Sequence, residues 1–185
     1  REFVARTGVR LVGPNCLGII SMPNKQITKS GQYDHIIDGP VGIVFQSGLL
    51  AFSMCIPTGA RGIGFSYIVT TGNEADLEAA DYIRFMVEDD KTRVIGCFIE
   101  QFRDPQKLIE VAELAAERKK PIVVLKVGRS AKAQRAAQAH TGSLVGSDAV
   151  VDAVMKQYGI IRVTSLEEMT ETLVAFHTDR LPKGT

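Results

Sequence analysis

Residues 94–127, VIGCFIEQFRDPQKLIEVAELAAERKKPIVVLKV, decide the fold of this chain. The stretch opens on an apolar, β-branched run, Val94 to Ile99, and closes on another, Ile122 to Val127. Between them Leu108, Val111, Ala112, Leu114 and Ala115 recur at three- and four-residue intervals, the spacing of one helix face. Asp104 followed by Pro105 supplies an N-cap with proline at the first helical position. Pro121 stops the helix before the second strand. Strands alternating with helices of this length imply a parallel sheet covered on both faces.

The same alternation extends outward on both sides. Further short apolar runs are Val41 to Phe45, Ile63 to Thr70 and Ile160 to Val163. Leu77, Ala80, Ile83, Phe85 and Val87 mark one more helix; Val150, Val151, Val154 and Met155 mark another. A last helix carries Leu166, Met169, Leu173, Val174 and Phe176, opened by a capping box of Ser165 and Glu168. The helix after Phe45 is expected to end near Ile56, because Pro57 follows. The fold class is therefore α/β, a flavodoxin-like doubly wound sheet of about five parallel strands with helices on both faces. Ligands in such sheets sit at the carboxyl ends of the strands, so function is sought just after Phe45, Thr70, Ile99 and Val127. Residues 1–40 are interrupted by Gly, Pro, Asn and Lys and read as a connection from a neighbouring domain, with Arg1 to Thr7 as the end of a helix. Residues 41–180 hold the α/β unit, and 181–185, with Pro182 and Gly184, read as a departing linker.

Composition removes several function classes. The chain has 185 residues with 22 basic and 21 acidic side chains, a formal net charge of +1. Such a balance argues against a nucleic-acid binder, which carries a basic face or a high pI. The longest apolar runs fall far short of the roughly 20 residues that a spanning helix needs. Cys16, Cys55 and Cys97 are scattered and lack C-x-x-C spacing, so neither a disulfide framework nor a zinc site is suggested, and a cytoplasmic setting is expected.

Four stretches stand where chemistry is possible. Gln46-Ser47-Gly48-Leu49-Leu50 turns from a strand directly into a helix, whose first N–H groups form a natural anion site. A plain N-cap is the competing reading. Another is a nucleophile elbow on Ser47, but G-x-S-x-G would need glycine where Phe45 stands. Thr71-Gly72-Asn73-Glu74-Ala75-Asp76 follows the second strand, with Asn73 or Asp76 as a helix cap or Gly72 and Asn73 as ligand contacts. Glu100 stands at the end of the third strand, where a carboxylate is either solvated or, beside a histidine, able to fix the ring tautomer and leave the other nitrogen free to attack. His140, in Ala139-His140-Thr141-Gly142-Ser143, lies in a loop bounded by small residues. His35 and His177 sit in peripheral segments.

Taken together, the chain resembles the second domain of the NDP-forming acyl-CoA synthetases, the superfamily that includes the α subunit of succinyl-CoA synthetase. Gly13-Pro14-Asn15-Cys16-Leu17-Gly18, Gln46-Ser47-Gly48, Thr71 to Asp76, Glu100, Lys126-Val127-Gly128-Arg129-Ser130 and His140-Thr141-Gly142 carry the likeness, in that order. It points to the acetyl-CoA synthetase-like branch, whose histidine loop usually reads S-H-T-G-A. The resemblance implies that His140 is phosphorylated in turnover and that Glu100 hydrogen-bonds it. Gln46, Ser47, Gly48, Leu49, Thr141 and Gly142 would hold the phosphate. Asn15 and Cys16 would close a CoA-binding domain preceding this chain, with Gly72 and Asn73 near CoA or the acyl substrate. CoA and ATP or ADP are the implied co-substrates; nucleotide and magnesium would belong to an ATP-grasp domain or subunit, within a homo- or hetero-oligomer. The departures are Phe45 and Ala139, each standing where the family commonly has serine and each removing a hydroxyl expected near the phosphate. The isolated fragment is expected to be folded yet inactive. A non-catalytic regulatory domain of a protein acetyltransferase is the alternative, and a serine hydrolase using Ser47 a weaker one.

Overall fold

The computed structural model describes residues 2–29, 36–127 and 148–178. In chain order the elements are α1 (Glu2–Thr7), β1 (Ile19–Ser21), β2 (Gln26–Ile27), β3 (Asp38–Phe45), α2 (Gly48–Ala60), β4 (Phe65–Thr70), α3 (Ala79–Glu88), β5 (Val94–Ile99), α4 (Pro105–Glu117), β6 (Ile122–Lys126), α5 (Asp148–Gln157), β7 (Ile161–Val163) and α6 (Leu166–Phe176). They build one seven-stranded sheet in the order β2-β1-β4-β3-β5-β6-β7. From β4 to β7 all neighbours pair in parallel, the five-stranded flavodoxin-like order expected from the alternation.

Alternating side chains of the strands feed two cores. On one face Val41, Ile43, Phe45 and Phe98 pack beneath Met54 and Cys55 of α2 and Met169 and Leu173 of α6. On the other, Val44, Ile95, Cys97 and Val124 meet Ile83 of α3, Val111 of α4 and Met155 of α5. Burial on both faces is why the parallel strands read as unbroken apolar runs rather than alternating ones.

The structure departs from the sequence reading in four places. The stretch before residue 40 is not merely a connector: β1 and β2 form a hairpin whose first strand pairs antiparallel with β4. Helix α2 runs through Pro57 to Ala60. Proline removes only one N–H this close to the helix end, and the Thr58 hydroxyl donates to the Met54 carbonyl at 2.7 Å. Helix α3 starts at Ala79, not at Asn73 or Asp76, because Glu78 is its N-cap and donates its backbone N–H to the Asp81 carboxylate at 3.0 Å. This start puts Ile83, Met86 and Val87 on the buried face and turns Phe85 outward, edge-on to Tyr67. Finally, Glu168 folds back to the Thr164 N–H rather than to Ser165, while the Ser165 hydroxyl accepts from the Glu168 N–H.

Candidate functional site

The order of the parallel strands reverses between β3 and β5, and an open α/β sheet has its crevice at such a point, beyond the carboxyl ends. A cavity of about 320 Å³ lies there, lined by Asn15, Gln46, Gly72, Asn73, Glu74, Glu100, Gln101 and Arg103. Five of these eight, Asn15, Gln46, Gly72, Asn73 and Glu100, were singled out from the sequence.

Gln46 follows β3 and spans the switch point. Its side-chain oxygen accepts the backbone N–H groups of Glu100 at 2.6 Å and Gln101 at 3.1 Å, and its amide nitrogen donates to the Gln101 carbonyl at 2.8 Å. One side chain thus fixes the backbone that carries Glu100. Ser47, next in sequence, caps α2 by accepting the Leu50 N–H at an ordinary extended backbone conformation. The hydrolase elbow requires a strained serine, so this geometry does not favour it. Gly48 and Leu49 open α2 beside Gln46, where the first N–H groups lack i−4 partners and the helix dipole is positive. A Cβ on Gly48 would come within 2.5 Å of Leu17, so this turn also packs against the Asn15-Cys16-Leu17 loop.

That loop and the turn after β4 are zipped together. Asn73 and Ala75 donate their N–H groups to the carbonyls of Pro14 and Gly13, each at 2.8 Å. Asp76 accepts Arg10 Nε and the Leu11 N–H, each at 2.9 Å; these contacts hold its carboxyl below the usual range. Gly72 has φ +59°, and a Cβ there would stand 2.3 Å from the Pro14 carbonyl oxygen, so glycine is required twice over. Cys16 lies half-buried in the same loop and is not among the lining residues.

Glu74, Arg103 and Lys126 are site features the sequence reading did not assign. Glu74 is 2% exposed. It accepts the Thr71 hydroxyl at 2.8 Å and the Ala79 N–H at 3.1 Å, with Arg103 Nε 3.9 Å away. Burial pushes its carboxyl above the usual value, opposed by hydrogen bonds from Gln46, Thr71 and Ala79. Arg103 also donates to the Asn73 carbonyl at 2.7 Å. Lys126, the last residue of β6, donates to the carbonyls of Glu100 at 2.6 Å and Val127 at 2.7 Å. The signal available for Glu74 and Lys126 was their place at strand ends. Nothing local announced that they would be buried.

Phe45 is fully buried, its ring centroid 5.7 Å from that of Phe98 in the core. Its side chain is therefore not among those lining the cavity. His140, Thr141 and Gly142 lie outside the described residues, as does Ala139. Among the described residues no three His, Cys, Asp or Glu side chains gather as a metal cluster, and no helix is long and apolar enough to cross a membrane.

Comparison with known proteins gives this geometry a family. Residues 38–176 match the succinyl-CoA ligase like flavodoxin domain. The chain belongs to that family. It is 37% identical to the α subunit of the ADP-forming acetate–CoA ligase I of Pyrococcus furiosus, over 99% of this chain and 39% of that one. With the ADP-forming acetate–CoA ligase II of Archaeoglobus fulgidus the identity is 39%, over 99% of this chain and 27% of the relative. The acetyl-coenzyme A synthetase 1 of Ca. Korarchaeum cryptofilum, solved in complex with phosphate and ADP, superposes with a TM-score of 0.92 at 34% identity. That superposition covers 99% of this chain and 39% of the other. The chain thus spans well under half the length of these relatives.

Proposed function

We propose that this chain is the phosphoryl-carrying part of an NDP-forming acyl-CoA synthetase. The observation that carries the reading is the polar cavity at the switch point, in which Gln46 immobilises the backbone of Glu100 beside the start of α2. Kinship with ADP-forming acetate–CoA ligases supports it. In this reading phosphate attacks an acyl-CoA, releasing CoA and leaving an acyl phosphate. A nitrogen of His140 then takes the phosphoryl group and releases the acid, and ADP takes it in turn to give ATP and free histidine. The reverse direction consumes acid, CoA and ATP and yields acyl-CoA, ADP and phosphate. Splitting the transfer through a covalent intermediate replaces one difficult step by two easier ones.

The residues have matching tasks. Glu100 holds the imidazole tautomer and stabilises the charge that develops on the ring. The α2 N–H groups offer the phosphoryl oxygens fixed donors that need no reorganisation during transfer, and Thr141 and Gly142 would share in holding them. Asn15, Cys16, Gly72 and Asn73 border the CoA and acyl side. Magnesium is given no step here; with the nucleotide it would belong to an ATP-grasp partner. Residues 1–40 would complete a CoA-binding domain, 41–180 carry the phosphoryl group, and 181–185 lead away from it.

Incubation of the complete enzyme with γ-labelled ATP and magnesium tests the reading. Labelling is expected in the wild type and abolished in His140→Ala; undiminished label in that variant would sink it.

A further inference from the structure

The proposed mechanism gives Lys126 no task. It is 4% exposed and closes β6, its backbone in register with Ile99 of β5. An apolar side chain would pack at this strand position without the cost of taking an ammonium out of water. Lys126 instead threads its ammonium between two main-chain oxygens at the carboxyl edge of the sheet. One is the Glu100 carbonyl at 2.6 Å, the other the Val127 carbonyl at 2.7 Å. The Val127 N–H in turn donates to the Ile99 carbonyl at 3.1 Å. The end of β5 is therefore held from two sides, by the Gln46 amide across the switch point and by the Lys126 ammonium from β6. Burial pulls the ammonium below the usual lysine value, Asp148 and Glu100 favour its charged form, and Arg162 opposes it.

We propose that Lys126 is a positioning residue of the phosphoryl-transfer site: its charge locks the backbone of Glu100 to the end of β6, so that the glutamate is held rigid where the segment carrying His140 begins. The inference rests on the phosphohistidine reading of the site. A hydrogen bond from a charged donor is roughly twice as strong as a neutral one, and here it acts on the backbone of the residue whose carboxylate must stay in register. Small misplacement of such a group costs about a hundredfold in rate.

The test compares rates of phosphoenzyme formation from ATP in the complete enzyme for wild type, Lys126→Met and Lys126→Arg, each also in a Glu100→Gln background. We expect Lys126→Met to slow phosphorylation at least 20-fold with the KM for ATP within twofold of wild type, and Lys126→Arg to recover most of the loss. If Lys126 acts through Glu100, Lys126→Met slows the Glu100→Gln enzyme by less than twofold further; a merely structural role would cost the same factor in both backgrounds and overturn the proposal. Wild-type rates in Lys126→Met would overturn it too. Should Lys126→Met fail to fold, Lys126→Gln and Lys126→Arg decide: a large deficit confined to the uncharged variant supports the proposal, and equal rates contradict it. Label persisting in His140→Ala would overturn both this proposal and the reading beneath it, whereas label lost there and intact in Lys126→Met would remove only the role of Lys126.

Discussion

The two edges of the sheet carry polar networks of similar parts and opposite design. At the amino edge Asp89 accepts the Lys91 and Thr92 N–H groups, the Thr92 hydroxyl and the Tyr67 hydroxyl. Thr92 continues to Ser66 at 2.8 Å, and the Lys120 ammonium donates to the Met86 and Asp89 carbonyls. At the carboxyl edge Gln46 and Lys126 grip the backbone of Glu100 in much the same manner. Both lysines lie below their usual pKa, burial being the largest cause in each. The difference is what the grip serves. The Asp89 network ties the end of α3 to the start of β5, while the Gln46 network holds a carboxylate at the wall of a cavity. Cavity size does not separate the two ends: a second space of about 320 Å³ opens near Lys120. Its wall is largely apolar, including Ala112, Ala115, Pro121, Tyr158 and Phe176 beside two lysines, and it contains no carboxylate.

Substitution at each edge separates the two roles. Glu100→Gln should reduce phosphoenzyme formation by about a hundredfold or more while moving the thermal midpoint little, since the backbone grip of Gln46 is kept. Unchanged phosphorylation would erase the functional distinction between the edges. Asp89→Ala should do the reverse, costing about 2–4 kcal/mol in denaturant unfolding by stranding several donors at once, with phosphorylation per folded molecule unaltered.

Gly72→Ala should cost about 2 kcal/mol, because φ +59° and the Pro14 carbonyl both exclude a Cβ. Denaturant titration reads the loss, and an accompanying rise in the KM for CoA would connect the zipped loops to substrate.

The smallest effect is on pH dependence. Glu74 is held above its ordinary value near 4.5 by burial, so it binds its proton more tightly folded than unfolded. The stability it contributes is complete below about 4.5 and is lost as pH rises through its folded value. The stability of wild type relative to Glu74→Gln should therefore fall as pH rises above about 4.5, whereas a rise would mean that Arg103 at 3.9 Å outweighs burial.

Much of this architecture was legible in the sequence because it rests on local signals. Apolar runs between capped helices located β3, β5 and β6, and Asp104-Pro105 marked the start of α4 to the residue. The β1–β2 hairpin escaped because three- and two-residue strands leave too few positions for a period to show. At the site, Gln46 and Glu100 were legible as strand ends. The roles of Glu74, Arg103 and Lys126 were not, since they come from contacts between remote segments: the 13–16 loop lies over the 71–76 turn, and Lys126 reaches across to Glu100. Nor did the sequence show that the Phe45 ring packs into the core against Phe98, because that placement too comes from the folded sheet.

We propose that the carboxyl edge carries a phosphohistidine site. Its most direct test is to quench the complete enzyme during turnover with ATP, digest it under alkaline conditions that preserve phosphohistidine, and map the modified peptide by mass spectrometry. We expect one phosphorylated residue from this chain, His140, and its near absence when Glu100→Gln is treated alike. Phosphate on Ser47, or a fully active enzyme with His140 never modified, would contradict the account.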